Sequence, residues 1–125
     1  MLGLKRSALE RGAEGEDAAA RYLEQKGLKV VQRHYQTRWG EIDLVCRDRD
    51  TWVFVEVKTR TRTSAPSAAE ALTPAKQKKI IGAALSYMKK HRLKDEAMRF
   101  DLVTLEGGFL EWFAGAFEAS GPYTY

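Results

Sequence analysis

Three charged residues on two neighbouring strand-like segments are the residues of this sequence best placed to carry out chemistry. Asp43 lies in the segment 41–47, and Glu56 and Lys58 lie in the segment 51–60. Polar and apolar residues alternate in both segments, which is typical of half-buried β-strands. Because Glu56 and Lys58 are two residues apart, their side chains point to the same face of such a strand.

A short turn at residues 49–50 predicts how these two strands pair. If the turn is symmetric, Asp43 lies directly opposite Glu56, and Glu41 lies opposite Lys58. Opposed residues in an antiparallel pair have Cβ atoms roughly 4.5–5.5 Å apart, so the two carboxylates repel each other there. A divalent cation would offset this repulsion, because hard cations such as Mg²⁺ take carboxylate oxygens as ligands. The pattern therefore predicts a metal-binding acidic pair with Lys58 alongside.

The apolar residues of the two segments support the same register. It gathers six of them on one face, and a shift of one residue would turn one strand's apolar side outward. These residues are Ile42, Leu44, Cys46, Val53, Val55 and Val57. The other face carries Val45, Trp52 and Phe54 beside the charged residues. A solvated polar face is the alternative interpretation of the charges, and the aromatic residues on that face argue against it.

Glu16 is a further acidic candidate, in a predicted helix over residues 7–26. It lies at heptad spacing between Leu9 and Leu23, on the apolar side of that helix. A lone glutamate is costly to bury there without a partner. Two interpretations are open: Glu16 reaches water at the edge of the apolar stripe, or it faces the hairpin and joins the acidic pair.

The remaining segments predict the scaffold that holds these residues. Thr73-Pro74 has the composition of a helix N-terminus, and Gly107-Gly108 that of a turn between strands. The predicted elements are helices at 7–26 and 74–91, strands at 29–35, 41–47, 51–60, 99–105 and 109–113, and a loop at 61–67. The αβββαβ order, with one further strand, predicts an α/β fold with a mixed central sheet flanked by helices. We expect a single domain over residues 1–125, with its core at about 8–113 and a C-terminal tail at 114–125.

Composition limits the classes of function without choosing among them. The chain has 125 residues, 44% of them hydrophobic and 30% charged, which is typical of a globular domain. The formal net charge of +4 permits a polyanionic partner but does not require one. The single cysteine, Cys46, excludes an intramolecular disulfide and a zinc cluster of cysteines. Because neither a secretory signal nor a membrane-spanning apolar run is evident, we expect a cytoplasmic protein without membrane contact.

The motifs around the acidic pair resemble those of a known protein class. The segments GEIDL (residues 40–44) and FVEVKTR (residues 54–60) resemble the D…ExK core of the restriction-endonuclease-like nucleases, the PD-(D/E)XK superfamily. Over about residues 8–113, the chain more closely resembles the YraN-like family of small, nuclease-like bacterial proteins. His34 stands where this resemblance leads us to expect an asparagine. Further matching segments are Gly12-x-x-Gly15-Glu16, residues 71–78 and Arg99-Phe100-Asp101.

The resemblance implies a mechanism and roles for individual residues. The fold of this family is similar to that of archaeal Holliday-junction resolvases. By analogy with these enzymes, Asp43, Glu56 and the backbone carbonyl of Val57 would ligate Mg²⁺ or Mn²⁺. Lys58 would orient or deprotonate the attacking water and stabilise charge on the phosphate, and Glu16 would complete the acidic cluster. This implies a metal-dependent nuclease acting on DNA, including branched or recombination-type DNA. The alternative is a binding module that keeps the fold without catalysis.

Basic residues near the site are candidates for contact with nucleic acid. Arg60 and Arg62 extend the Glu56 face toward the loop, where an approaching phosphate backbone would pass; an ordinary basic loop is the alternative. Lys78 and Lys79 lie away from the apolar stripe of the second helix. They would contact phosphates or simply form a solvated helix face.

The C-terminal segment is rich in aromatic residues, which most often complete a core. A homodimer interface is the alternative for this segment. For the function of the protein, a third hypothesis is that the charged face of the hairpin docks on a partner protein. Asp101 alternates with Val103 and is predicted to be structural. The aromatic residues are Trp112, Phe113, Phe117, Tyr123 and Tyr125.

Overall fold

A computed structural model describes residues 8–60 and 72–119, with side chains of the first helix described from residue 14 onward. The elements in chain order are α1 (Ala8–Gln25), β1 (Lys29–Gln36), β2 (Glu41–Asp48), β3 (Thr51–Arg60), α2 (Pro74–Lys90), β4 (Ala97–Glu106) and β5 (Phe109–Phe117). The predicted order is confirmed. The last strand, however, continues to Phe117, so residues 114–117 belong to the sheet and not to a tail. The predicted loop at 61–67 lies outside the described residues.

The five strands form one mixed sheet in the order β1-β2-β3-β4-β5. The pair β3–β4 is parallel, and the other three pairs are antiparallel. Parallel neighbours need a long crossover, which α2 provides between β3 and β4. The predicted α/β class, a mixed sheet flanked by helices, is therefore confirmed. None of the helices in the described residues is both long enough and apolar enough to span a membrane.

Two buried clusters lie on the two faces of the sheet, one under each helix. Under α1, Ala19, Ala20 and Leu23 pack against the inward-facing residues of the strands. Under α2, the corresponding residues include Ile80, Ile81 and Met88. On the α1 face the strands contribute Leu44, Cys46, Val53, Val55 and Val103, and on the α2 face they contribute Tyr35, Ile42, Val45, Phe54, Phe100 and Leu102. Cys46 is a free, buried core residue, as predicted.

The predicted register between β2 and β3 is confirmed from the turn as far as the pair Leu44–Val55. The described ladder ends there, one pair before Asp43 and Glu56. Instead, the Asp43 carboxylate accepts a hydrogen bond of 2.8 Å from the backbone N–H of Val57. The predicted backbone pairing of Asp43 with Glu56 is therefore wrong, because the Asp43 side chain takes the place of a main-chain acceptor.

Two further predictions fail at the same point. Ile42 belongs to the cluster under α2, although Leu44 and Cys46 belong to the cluster under α1. Regular alternation would place all three on one face, so the alternation of β2 breaks at Asp43. The predicted pair Glu41–Lys58 is also absent from the described ladder. The Glu41 carboxylate accepts a hydrogen bond of 3.3 Å from the side-chain amide of Gln36 instead.

Asp101 connects β4 to β5 through its buried carboxylate. The side chain accepts hydrogen bonds from the Arg99 guanidinium, the Trp112 indole N–H at 2.9 Å and the Gly115 backbone N–H at 2.9 Å. Gly115 has a φ of 65°, which a glycine adopts without steric cost. These contacts agree with the structural role predicted for Asp101, and they carry β5 past the predicted end at residue 113.

Gly15 lets α1 approach β3 closely enough to bring Glu16 over the sheet. A Cβ atom added at Gly15 would lie 2.2 Å from Oγ1 of Thr59 but 3.5 Å from Cβ of Thr59. The first distance is a severe clash, and the second is an ordinary contact. The spacing between α1 and β3 is therefore set by the glycine together with the threonine hydroxyl.

We expect Gly15→Ala to lower the free energy of unfolding by about 1–3 kcal/mol, the usual cost of overpacking. The variant Gly15→Ala/Thr59→Ala should recover most of this loss, because only the hydroxyl clashes. Urea denaturation of wild type, both variants and Thr59→Ala gives the four free energies of unfolding for a double-mutant cycle. If Gly15→Ala alone is stabilising, as it is for an exposed helical glycine, the close approach is contradicted.

Candidate functional site

The side chains of Asp43 and Glu56 lie together at the point where β2 and β3 separate, although their backbones are not paired in the described ladder. The two carboxyl groups are close enough that each shifts the pKa of the other. Two carboxylates this close repel each other, which favours a state in which one of them carries a proton. The strand geometry thus places the predicted acidic pair in contact and makes the two groups titrate as a unit.

Burial is the main reason that both carboxyl groups hold protons more tightly than usual. It raises the pKa of Glu56 to about 7, with the negative charge of Asp43 as the second cause and Lys76 acting in the opposite direction. The pKa of Asp43 is raised by burial too, against the lowering effect of the hydrogen bond from Val57. The pair therefore retains a proton up to about neutral pH, as two adjacent buried carboxylates do.

Among the residues that the structure describes, Lys76 is the cation in contact with this pair. Its ammonium nitrogen lies 3.0 Å from Oε2 of Glu56. Thr73 caps α2, since its Oγ1 accepts a hydrogen bond of 3.2 Å from the Lys76 backbone N–H, and Pro74 begins the helix. The N-terminus of a crossover helix lies toward the carboxyl end of the strand before it, and Glu56 is in the second half of β3.

Sequence reasoning missed Lys76, although a signal was present. Thr73-Pro74 predicted the start of the helix, and this puts Lys76 in its first turn. The βαβ connection then brings that turn back to the carboxyl end of β3, where the sites of α/β proteins commonly form. Lys58, the predicted cation, is exposed two residues beyond Glu56.

Glu16 approaches the acidic pair from α1. Its side chain is 14% exposed, and its pKa is raised by burial and, after that, by the charge of Asp43. Its Oε1 is buried and has no aligned hydrogen bond from the described residues, although Nε2 of His34 lies only 2.6 Å away. Because the Glu16 side chain is mostly buried and contacts His34 of β1, the geometry favours the interpretation in which it faces the hairpin over the one in which it reaches water.

His34 is a second residue of the site that sequence reasoning did not assign. It lies opposite Asp43 between the pairs Arg33–Leu44 and Tyr35–Ile42, and its ring contacts Glu16 and Glu41. Its φ of 54° is in the left-handed region, where asparagine, aspartate and histidine are enriched among non-glycine residues. This backbone conformation suits both the asparagine that the family resemblance leads us to expect at position 34 and the histidine that stands there.

The predicted basic residues are in different environments. Arg60 is largely buried and forms an ion pair of 2.8 Å with Glu106 of β4, so its charge is engaged within the sheet. Lys78 and Lys79 are exposed on α2, and Arg62 lies outside the described residues. Among the described side chains, no group of three or more His, Cys, Asp or Glu is arranged to enclose a metal ion.

The C-terminal aromatic residues that the structure describes take part in the two cores. Trp112 packs against the cluster under α1, and Phe113 and Phe117 pack against the cluster under α2. This agrees with their predicted role in completing a core. Tyr123 and Tyr125 lie outside the described residues.

The sequence matches a family of bacterial proteins across the whole site. Residues 15–105 match the model of the uncharacterised protein family UPF0102. The chain belongs to this family. A UPF0102 protein from Dechloromonas aromatica is 46% identical over 109 residues, covering 87% of this chain and 89% of that protein. Another, from Aeromonas hydrophila, is 43% identical over 113 residues, covering 89% of this chain and 87% of that protein. The YraN-like resemblance is thereby confirmed.

The UPF0102 match includes every residue that builds the acidic site in the structure. Glu16, His34, Asp43, Glu56 and Lys76 all lie between residues 15 and 105. The names of the UPF0102 relatives state neither a substrate nor an activity, so the function has to be argued from the geometry of these residues.

The raised pKa of Glu56 predicts how stability depends on pH. Because the folded-state pKa of about 7 exceeds the ordinary value of 4.5, the folded protein binds more protons than the unfolded chain between these values. The free energy of unfolding should therefore fall as pH rises from about 4.5 to about 7, and this fall should be smaller in Glu56→Gln.

Urea denaturation at half-unit pH steps in that window measures the effect. Glu111→Gln, at an exposed glutamate of β5, is the matched control and should keep the wild-type pH dependence. If Glu56→Gln and wild type lose stability in parallel over this window, the buried acidic pair is not the cause.

Proposed function

We propose that this UPF0102 protein is a metal-dependent nuclease that hydrolyses phosphodiester bonds in DNA, with Asp43 and Glu56 at its centre. The observation that supports this most directly is the contact between these two carboxyl groups where β2 and β3 separate. Burying two acidic groups side by side costs stability and is characteristic of functional sites. The proposal extends to branched or recombination-type DNA only through the resemblance described above.

The donor atoms at this point fit a hard divalent cation such as Mg²⁺ or Mn²⁺. Mg²⁺ is usually bound by one or two carboxylates, with waters and substrate phosphates completing its shell. Val57 adds a third oxygen: its N–H points toward Asp43, and within an extended strand the carbonyl of the same residue points to the same side. A bound cation would polarise a phosphate and lower the pKa of a coordinated water.

The surrounding charged groups have separate proposed roles. Glu16, near Asp43, completes the acidic cluster. Lys58 is exposed on the same strand as Glu56 and is free to orient or deprotonate an attacking water. Lys76 neutralises Glu56 in the absence of substrate, and its ammonium group can turn to the phosphate when Glu56 binds a cation. In the hydrolysis, the water oxygen bonds to phosphorus as the bond to the leaving oxygen breaks.

The Lys76 contact also favours a second candidate function, that of a nucleic-acid-binding module without catalysis. With an ammonium group 3.0 Å from Glu56, the acidic pair is already partly neutralised. The folded protein then does not depend on a metal for its stability. In this second case Asp43, Glu56 and Lys76 would have a structural role, and binding would depend on the basic residues around them.

Cleavage assays separate the two functions. We expect wild-type protein with Mg²⁺ or Mn²⁺ to cut at least one of a panel of linear, flapped and four-way DNAs. Asp43→Asn and Glu56→Gln should each reduce the rate by about 100-fold or more, the scale on which loss of one preorganised polar group acts. Asp50→Asn, at the exposed far end of the same hairpin, is the matched control and should cleave normally.

A melting-temperature measurement with added Mn²⁺ provides a readout that does not need the right substrate. Mn²⁺ should stabilise wild type and Asp50→Asn, by about 2.7 kcal/mol at a hundred times its dissociation constant, and should not stabilise Asp43→Asn. Cleavage that persists in Asp43→Asn would contradict the nuclease proposal. Salt-dependent DNA binding with no cleavage and no stabilisation by Mn²⁺ would support the second function instead.

A further inference from the structure

A groove of about 1070 Å³ runs between the β1–β2 loop and the outer face of α2. Its lining includes Arg38, Trp39, Lys78, Gly82, Lys89 and Lys90. The described lining contains four basic side chains and no aspartate or glutamate. The charge of this groove is therefore complementary to a polyanion, unlike that of the acidic site.

Trp39 is the most unusual feature of the groove, because its side chain is large, apolar and 53% exposed. Hydrogen bonds within the loop that carries it fold its backbone into a turn: Oγ1 of Thr37 accepts hydrogen bonds from the N–H groups of Trp39 at 3.0 Å and Gly40 at 3.1 Å. A Cβ atom at Gly82 of α2 would lie 3.1 Å from Cβ of Trp39, so the loop packs tightly on the helix at this glycine. An exposed indole beside basic side chains offers a stacking surface for an unpaired base.

The basic residues of α2 follow the groove in a line. Lys78, Gly82 and Lys89 are spaced at four and eleven residues along the helix, which puts them on one stripe. Lys78 and Lys89 are separated by roughly 16 Å along the helix axis, a length that spans several phosphates of one strand. The Arg38 guanidinium lies 4.8 Å from the centre of the Trp39 ring and adds a positive charge beside the indole.

The groove and the acidic site use neighbouring segments of the chain. Gly40, directly after Trp39, packs against Lys79, since a Cβ atom there would lie 3.1 Å from the Cβ of that lysine. Glu41 follows at the start of β2, two residues before Asp43. On α2, Lys78 of the groove lies two residues from Lys76, which contacts Glu56. The start of β2 and the start of α2 therefore serve both surfaces.

We propose that this groove binds a single-stranded segment of nucleic acid, with one base stacked on Trp39 and its phosphates along Lys78 and Lys89. The proposal rests on the proposed function and deepens it, because it names an unpaired strand as the substrate class. Aromatic side chains provide stacking surfaces for unpaired bases, and basic grooves track the backbone. In a duplex the base faces are already stacked, and exposing one costs free energy.

Binding measurements in EDTA test the groove separately from catalysis. Fluorescence anisotropy should show that wild type binds a labelled oligo-dT or oligo-U more tightly than a duplex of equal length. Trp39→Ala should weaken single-strand binding by about 5- to 150-fold, the range for loss of one base stack, and Trp39→Phe should retain most of the affinity. Phe109→Ala, at an exposed aromatic residue of β5 away from the groove, is the matched control and should bind normally.

The salt dependence of binding tests the lysines. In Lys78→Ala/Lys89→Ala, the slope of log K against log salt should fall by about 1.4, because each phosphate contact with a single strand contributes about 0.7. Lys29→Ala/Lys94→Ala, which removes two exposed lysines outside the groove lining, should leave the slope unchanged. Equal affinity for oligo-dT and oligo-U supports binding through the stacked base and the phosphates that both share, and a preference between oligo-dU and oligo-U identifies recognition of the sugar.

Three outcomes would overturn the proposal: unchanged single-strand binding in Trp39→Ala, equal or tighter binding of the duplex, and equally effective competition by polyglutamate, which would indicate an acidic protein partner. Different results contradict the two proposals. Single-strand binding that depends on Trp39, without any cleavage, would contradict only the nuclease proposal. Cleavage of single strands with an unchanged KM in Trp39→Ala would contradict only the proposed role of the groove.

Discussion

The hydrogen bond from the Val57 N–H to the Asp43 carboxylate is the interaction on which the site depends. It occupies a main-chain donor that would otherwise continue the ladder, so β2 and β3 separate at this point. The separation turns Ile42 toward α2 and leaves room for the acidic pair. A side chain that replaces one backbone acceptor thus both ends the strand pairing and fixes the carboxylate that the site requires.

Most of the scaffold could be predicted because hydrophobic alternation and turn chemistry are local signals. The register of β2 and β3 was correct as far as Leu44–Val55 and failed at Asp43, since alternation does not show that a side chain will capture a backbone N–H. Lys76 was missed for a different reason. Its contact with Glu56 depends on where the crossover returns, and this is set by the whole sheet rather than by neighbouring residues.

Burying two neighbouring carboxyl groups costs free energy, and the surrounding elements reduce that cost in separate ways. Burial and mutual repulsion raise the pKa of Glu56, while the first turn of α2 supplies an ammonium group that favours its charged form. On the other side of the site, His34 contacts Glu16, and its charge acts against the rise in the pKa of Glu16. A site with this much unfavourable charge is stable only because two well-packed clusters hold the sheet between the helices.

The most direct test of the metal-dependent site is a crystal structure of the protein grown with Mn²⁺, using anomalous scattering to locate the ion. The account predicts one Mn²⁺ peak between the Asp43 and Glu56 carboxylates and the Val57 carbonyl, with the Lys76 ammonium displaced from Glu56. It would be contradicted if Lys76 stayed in contact with Glu56 and no anomalous peak lay near the pair at millimolar Mn²⁺.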